Sequence, residues 1–409
     1  MGETTRTAYP EVETGSRRQI AMLLSCDSFE KFFGGNFGLD RDSYIQGYRN
    51  DFSWSYGEAL LARGHSVTIY VFSFGKAEIR TAPNGLKIRF IPIPRWERWT
   101  DSLLFRLQHL PGGNLRRDRV ALQGVRAALQ QALASDAIDL FYVQEFWTAR
   151  CVLLLQMIDL PTIVADHGAQ YTPELDDLRK TVFPRAVKMI CQTQENLDRV
   201  RALGGNAVLI PNGVDDTFFT PDPDHGDEPR PRAPTVLSVG RLTEPQKRFS
   251  DLIHAIKLLP AFNLVLVGTG PDEVLLKDLA KQLGIADRVS FPGFVRSRED
   301  LRTLYRMAGV FVSSSAWEAV ALVVLEAMSC GTPVVITRIP SFEALLPNGF
   351  AGQLVPIGDP AALAAAIQTA HSKADVYGPR ARARVAEAYS AERLYDQLSD
   401  LIRASPLPS

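Results

Sequence analysis

Short runs of β-branched and aliphatic residues alternate along the chain with helix-length segments whose apolar positions recur every three to four residues. The short runs are apolar throughout rather than strictly alternating, which predicts parallel sheets covered by helices on both faces, an α/β architecture. In the first half the predicted strands are residues 19–25, 66–72, 86–91, 140–143, 162–165, 189–192 and 207–210; in the second they are 235–239, 263–267, 289–291, 310–313 and 333–336. Between the halves, residues 215–233 are rich in Pro and acidic side chains and cannot hold a core. The expected division is a first domain over 1–214, a linker over 215–233, a second domain over 234–388 and a closing helical segment over 389–409. Ligands of parallel sheets sit beyond the carboxyl ends of the strands, so a cleft between the domains is the expected site.

Composition narrows the reading little further. At 409 residues the chain exceeds one ordinary core. A net charge of -1, from 45 Lys+Arg and 46 Asp+Glu, provides no general pull toward nucleic acid, and no nucleic-acid partner is expected. Cys26, Cys151, Cys191 and Cys330 lie far apart and form no C-x-x-C pair, which suggests neither a zinc site nor a disulfide framework and favours a reducing compartment. Residues 1–18 lack the apolar core of a signal peptide, and no apolar run reaches the length of a membrane span. Met1-Gly2 hints at myristoylation, but Arg6 stands where that pattern needs Ser or Thr. The expectation is a cytoplasmic protein.

Candidate chemistry clusters after the predicted strands. Glu318 and Glu326, separated by seven residues, lie where a loop passes into a helix. Two carboxylates so placed can address two parts of one polar ligand, with the N–H groups that open the helix favouring an anion between them. After strand 235–239 comes Gly240-Arg241, with Lys247 and Arg248 before the next helix, where a diphosphate would find a planar fork and a point charge. Strand 263–267 runs into Gly268-Thr269-Gly270, which permits a tight turn and close backbone approach. Strand 162–165 ends at Asp166-His167-Gly168, and Gly34-Gly35 follows the first strand at a distance. Singly, each has an ordinary reading: a solvated helix face, a basic surface loop, a turn, a hydrogen-bonded histidine.

Together and in this order they resemble the retaining glycosyltransferases of family 4, also called glycosyl transferases group 1. The stretch from Glu318 to Glu326 resembles the family's E-x7-E signature. Leu61-Ala-Arg-Gly-His-Ser-Val-Thr-Ile looks like its first helix-to-strand junction, and Ile210-Pro-Asn212-Gly213-Val-Asp215 like its hinge. The resemblance implies a GT-B fold, two Rossmann-like doubly wound parallel-sheet domains facing a cleft, with the closing helix at 391–403 crossing back to the first domain. It further implies a hexose moved from a nucleotide diphosphate sugar, UDP- or GDP-linked, to a hydroxyl acceptor such as a glycan, a glycolipid or a small molecule. No cofactor and no metal are expected.

By the same resemblance Glu318 holds the donor sugar, Glu326 the ribose, Arg241 and Lys247 the diphosphate, and His167 assists from the other domain. Gly34 and Gly35 would reach the diphosphate, while Gly240, Gly268, Gly270, Phe294, Val295, Leu322 and Val323 would complete the donor site. Three departures stand out: the long connection over 36–51, Ala319 and Ala321 where the family carries glycines, and Pro340-Ser341 before Glu343 where it carries a glycine pair. Ala319 and Ala321 leave open a non-catalytic nucleotide-sugar binder; an epimerase or phosphorylase of the same fold is the other alternative, which these motifs fit less well. Finally, Trp96, Trp99, Arg95, Arg98 and Arg106, with Arg116, Arg117 and Arg119 beyond, interleave aromatic and basic residues. This is either a packing helix with a basic edge or a peripheral contact with the inner membrane face, where a lipid-linked acceptor would lie.

Overall fold

The apolar runs assemble into two sheets, seen in a computed structural model that describes residues 17–23, 28–35, 38–46, 48, 52–97, 113–166, 171–222 and 234–408. The first contains β1 (Gln19–Leu23), β2 (Ser66–Ser73), β3 (Glu78–Thr81), β4 (Lys87–Pro92), β5 (Leu140–Gln144), β6 (Thr162–Ala165), β7 (Lys188–Cys191) and β8 (Ala207–Leu209). Their order is β3-β4-β2-β1-β5-β6-β7-β8, parallel except where β3 meets β4. The second contains β9 (Thr235–Val239), β10 (Asn263–Val267), β11 (Val289–Gly293), β12 (Val310–Ser313), β13 (Val334–Thr337) and β14 (Gly352–Val355), ordered β11-β10-β9-β12-β13-β14 and parallel throughout. The predicted α/β class with two parallel-sheet bodies is what forms.

The continuous apolar runs are the strands covered on both faces. β5, β12 and β13 are buried along their whole length, as central strands between helix layers must be. Two strands escape the apolar pattern. β3, Glu-Ile-Arg-Thr, is a half-exposed edge strand and the antiparallel one, and β14 begins at Gly352 and is only partly buried.

The chain divides into two units, Met1–Ile210 with Tyr395–Ser409, and Pro211–Leu394. In the first, the long connection after Gly35 is packed where it is described. Its helix Arg41–Gln46 buries Tyr44 and Ile45, and the rings of Phe29, Phe33, Tyr48 and Trp54 lie 4.5–5.8 Å from Tyr44 by centroid, or from one another. The last turns of the closing helix Ala391–Arg403 also belong to this unit. There Ser399 Oγ is 3.0 Å from His65 Nε2, and Arg63 pairs with Asp396 at 2.8 Å. In the second unit Val214 and Ser390 form a parallel bridge, and Gly213 lies so close that a Cβ there would be 2.8 Å from the backbone of Ala391.

Candidate functional site

Strands β9 and β12 are neighbours, so the segments leaving their carboxyl ends run side by side. After β9 the chain passes through Gly240 and Arg241 into a single helical turn, Glu244–Lys247, stops at Arg248 in the left-handed region (φ 50°, ψ 43°), and restarts as the helix Phe249–Lys257. After β12 it passes through a loop bent at Ala316 and Ala319, and then forms the helix Leu322–Ser329. Three hydrogen bonds lay the second segment on the first: Ser314 Oγ donates to Lys247 O at 2.8 Å and to Arg248 O at 3.0 Å, and Ala316 N donates to Gln246 O at 2.7 Å. Thr337 Oγ1, at the end of β13, donates to Ser315 O and fixes the segment from its other side.

This framework brings Lys247 Nζ to 2.5 Å from Glu318 Oε1, which also accepts from Ser315 Oγ at 2.8 Å. The two charged side chains are only 16% and 11% exposed, so their attraction is screened far less than that of a surface pair. Ser315 was not singled out from the sequence, although a Ser three positions before a Glu is a visible pattern. The neighbouring cation takes another role. Arg248 forks onto its own helix, Nε to Asp251 Oδ2 at 2.6 Å and Nη2 to Asp251 Oδ1 at 3.2 Å, and that carboxylate raises its pKa. Lys247 is thus the cation that meets Glu318. Arg241 is exposed and has no ion-pair partner among the described residues.

The glycines of this region are required by the chain's own backbone. Gly268 has φ +133°, and a Cβ there would lie 1.9 Å from Gly240 O; a Cβ on Gly270 would lie 2.3 Å from Leu242 O. Gly240 N donates to Val267 O, Gly268 N to Gly293 O and Leu242 N to Thr269 O, all at 2.9–3.0 Å, so the ends of β9, β10 and β11 are laced together. Beside them Phe294 is 44% exposed, while Val295 packs on the core beneath β9 and β12.

Glu326, on the helix after β12, has a different environment. Its Oε2 accepts from the hydroxyl of the fully buried Tyr305 at 2.7 Å. Burial pushes its carboxyl pKa up, while the Tyr305 hydrogen bond and the charge of Arg298 pull the other way. At the start of the same helix the N–H groups of Leu322 and Val323 have no intrahelical acceptor, and Ala321 offers no side-chain cap. Tyr305 was missed from the sequence, because its pairing depends on two helices lying side by side.

The second unit therefore gathers Gly240, Arg241, Lys247, Gly268, Gly270, Phe294, Val295, Glu318, Leu322, Val323 and Glu326 at the carboxyl ends of β9 to β12 and the helix that follows. Gly34 and Gly35 lie in the first unit at the end of the π-helical turn Glu30–Gly34, where the Gly35 N–H donates to Glu30 O and Phe32 O. His167 falls outside the described residues, as do Arg98, Trp99 and Arg106. Trp96 is 49% exposed, and Arg116, Arg117 and Arg119 lie on the helix Gly113–Ser135. Among the described residues no three His, Cys, Asp or Glu side chains gather to hold a metal ion, and no helix is long and apolar enough to cross a membrane.

Residues 224–389, which contain Arg241, Lys247, Glu318 and Glu326, match the family described as Glycosyl transferases group 1, and residues 54–218 match Glycosyltransferase Family 4. The chain is 28% identical over 307 residues to a human phosphatidylinositol N-acetylglucosaminyltransferase polypeptide, covering 71% of this chain and 59% of that protein. It is 36% identical over 203 residues to a phosphatidyl-myo-inositol mannosyltransferase of Mycobacterium leprae, covering 48% and 52%. The matches thus span little more than half the length of these relatives. Among solved structures, sucrose-phosphate synthase from Thermosynechococcus elongatus superposes with a TM-score of 0.74 at 23% identity, over 95% of this chain and 98% of that one. HepE from Anabaena, in complex with UDP and glucose, does so with a TM-score of 0.65 at 19% identity, over 94% and 99%. The chain belongs to the group 1, family 4 glycosyltransferases and has their GT-B fold.

Proposed function

We propose that this protein is a retaining hexosyltransferase that moves a sugar from a UDP- or GDP-linked donor to a hydroxyl acceptor, without a metal or other cofactor. The observation that carries the reading is the Lys247–Glu318 pair, with Arg241 six positions earlier on the same connection and without an ion-pair partner among the described residues, at the carboxyl ends of adjacent strands. When the bond between the sugar's anomeric carbon and the diphosphate breaks, negative charge grows on the leaving phosphate oxygen. Arg241 and Lys247 are fixed cations that stabilise it, and in a partly dry site such groups are worth far more than in water. Glu318, held by Lys247 and Ser315, offers its remaining oxygen to the hydroxyls of the donor sugar. Glu326 accepts from the ribose.

The acceptor hydroxyl attacks from the face the diphosphate leaves, and its proton passes to the departing phosphate oxygen. No carboxylate forms a covalent intermediate. His167 assists at the acceptor, and Gly34 and Gly35 approach the diphosphate from the first unit's sequence. Two relatives are named for acceptors carrying phosphatidylinositol, which favours a lipid-linked acceptor over a free glycan and a peripheral position at a membrane. The test is to incubate the protein with UDP- and GDP-hexoses and an acceptor panel and read the product's anomeric configuration by NMR. Retention with transfer is expected; inversion, or donor hydrolysis with no transfer to any acceptor, overturns the reading.

A further inference from the structure

We infer that Tyr305 is a positioning residue for nucleotide recognition: its hydroxyl holds Glu326 as a carboxylate aimed to accept ribose hydroxyls, and so sets the preference for a ribonucleotide over a 2′-deoxyribonucleotide donor. The inference rests on the assignment of Glu326 to the ribose.

Tyr305 lies on the helix Arg298–Met307, the one buried residue of that helix. Its ring packs 5.7 Å from Phe311 on β12 and 6.0 Å from Phe219, both by centroid, and its own carbonyl accepts from Thr332 Oγ1 at 2.6 Å. Ring and backbone are thus fixed independently of the hydroxyl. Among the described residues the hydroxyl has one partner, Glu326 Oε2 at 2.7 Å. A buried tyrosine hydroxyl needs an acceptor, and here it finds a carboxylate 21 residues on. A carboxylate with one oxygen so occupied keeps its other oxygen and lone pairs for a ligand, in a fixed orientation. Burial favours the protonated acid at this position, and the Tyr305 hydrogen bond opposes it. Without that bond Glu326 rotates more freely and takes up a proton more readily, and a protonated acid accepts hydroxyls poorly.

The experiment measures binding of UDP and 2′-deoxy-UDP, with GDP and 2′-deoxy-GDP in parallel, to the wild type, Tyr305→Phe, Glu326→Gln and the double variant between pH 5.5 and 8 by calorimetry. Phe keeps the ring contacts, so folding is retained, and thermal unfolding checks it. The wild type is expected to prefer the ribonucleotide roughly tenfold or more. Tyr305→Phe should lose most of that preference by weakening the ribonucleotide alone, and more so at low pH; adding Glu326→Gln should change little further. A Tyr305→Phe variant that keeps the wild-type preference, or whose effect simply adds to that of Glu326→Gln, overturns the inference while leaving Glu326 in place. Equal binding of both nucleotides by the wild type overturns the assignment of Glu326 and the inference with it.

Discussion

Lys247 Nζ and Glu318 Oε1 are 71 positions apart in sequence and 2.5 Å apart in space, and each is the other's only charged partner among the described residues. Arg241, six positions before Lys247, has no such partner among them. The two cations assigned to one diphosphate should therefore differ in what they do for the folded protein. Lys247→Ala strands a poorly hydrated carboxylate and should cost about 1–3 kcal/mol of stability, less than a wholly buried pair because both side chains keep some water. Arg241→Ala should leave stability within about 0.5 kcal/mol yet lower kcat/KM by roughly 30- to 1,000-fold, the loss of about 2–4 kcal/mol of transition-state stabilisation. Chemical unfolding and steady-state kinetics on the two variants check this; near-normal turnover of Arg241→Ala removes it from the site. Glu318→Gln should lose turnover much further than nucleotide affinity.

The glycines separate in the same way. Gly268→Ala forces a side chain onto a backbone at φ +133° with a carbonyl 1.9 Å away, and should destabilise by about 3 kcal/mol or more. Gly270→Ala should behave alike. At Gly34 and Gly35 a Cβ finds nothing nearer than 3.7 Å among the described residues, and Gly35 has helical angles. Replacing either by Ala should cost nothing or stabilise by up to about 1 kcal/mol. Lost transfer in those folded variants would report a ligand passing close to the backbone; unchanged transfer would dismiss the glycine pair from the donor site.

Chelation tests the neutralising role of the two cations. If Arg241 and Lys247 carry the charge of the leaving diphosphate, transfer in excess EDTA should stay within about twofold of the untreated rate. Loss of activity, restored by magnesium or manganese, contradicts it.

His65 makes stability depend on pH. Its Nδ1 accepts from Arg18 N at 3.3 Å and its Nε2 faces Ser399 Oγ at 3.0 Å, so the neutral ring satisfies both. Burial, with repulsion from Arg403 and Arg18, lowers its pKa from 6.5 to about 4. Above pH 6.5 both folded and unfolded chains hold the ring neutral. As pH falls from there toward 4 the unfolded chain takes up a proton that the folded one refuses, and stability drops on the order of 1–2 kcal/mol. Denaturant titrations at pH 7 and pH 4.5 should show this fall, and His65→Gln should reduce it; an identical fall in both proteins assigns it to other groups.

The membrane reading has a direct assay. Liposomes containing anionic lipid should sediment the protein at low salt, with binding weakened by added salt. Absence of binding at low ionic strength leaves a soluble acceptor as the better account.

Much of this was legible in the sequence because parallel strands covered on both faces announce themselves as apolar runs, and ligand groups follow their carboxyl ends. Glu318 and Glu326 were marked out by their spacing together with the other motifs and the family resemblance, and they do fall before and on the helix Leu322–Ser329. β3 was not legible, since Glu78 and Arg80 break the apolar run: they take the half-buried side of this edge strand, paired with Arg41, Asp42 and each other, while Ile79 and Thr81 face water. The stop at Arg248 was hidden because a non-glycine residue adopts φ 50° there, which no pattern signals. The pairing of Lys247 with Glu318, and of Tyr305 with Glu326, depends on register between segments remote in sequence. Gly268-Thr269-Gly270 correctly signalled close backbone approach; the backbone it meets is that of Gly240 and Leu242.

The parallel order of the second sheet also sets when the site can exist. With no hairpin in that sheet, none of its strand pairs can close through a tight turn, and β9 must wait for β12, whose Val312 carbonyl meets Ser238 across 74 positions of chain. Loop-closure entropy must be overcome before such contacts are rewarded, so these strands join late and slowly. The lysine and glutamate that meet beyond them can come together only after that step. During refolding, nucleotide binding should appear with the slowest structural phase, and a ribosome releasing this chain must deliver more than half of the second unit, past Glu318, before the lysine and glutamate can meet.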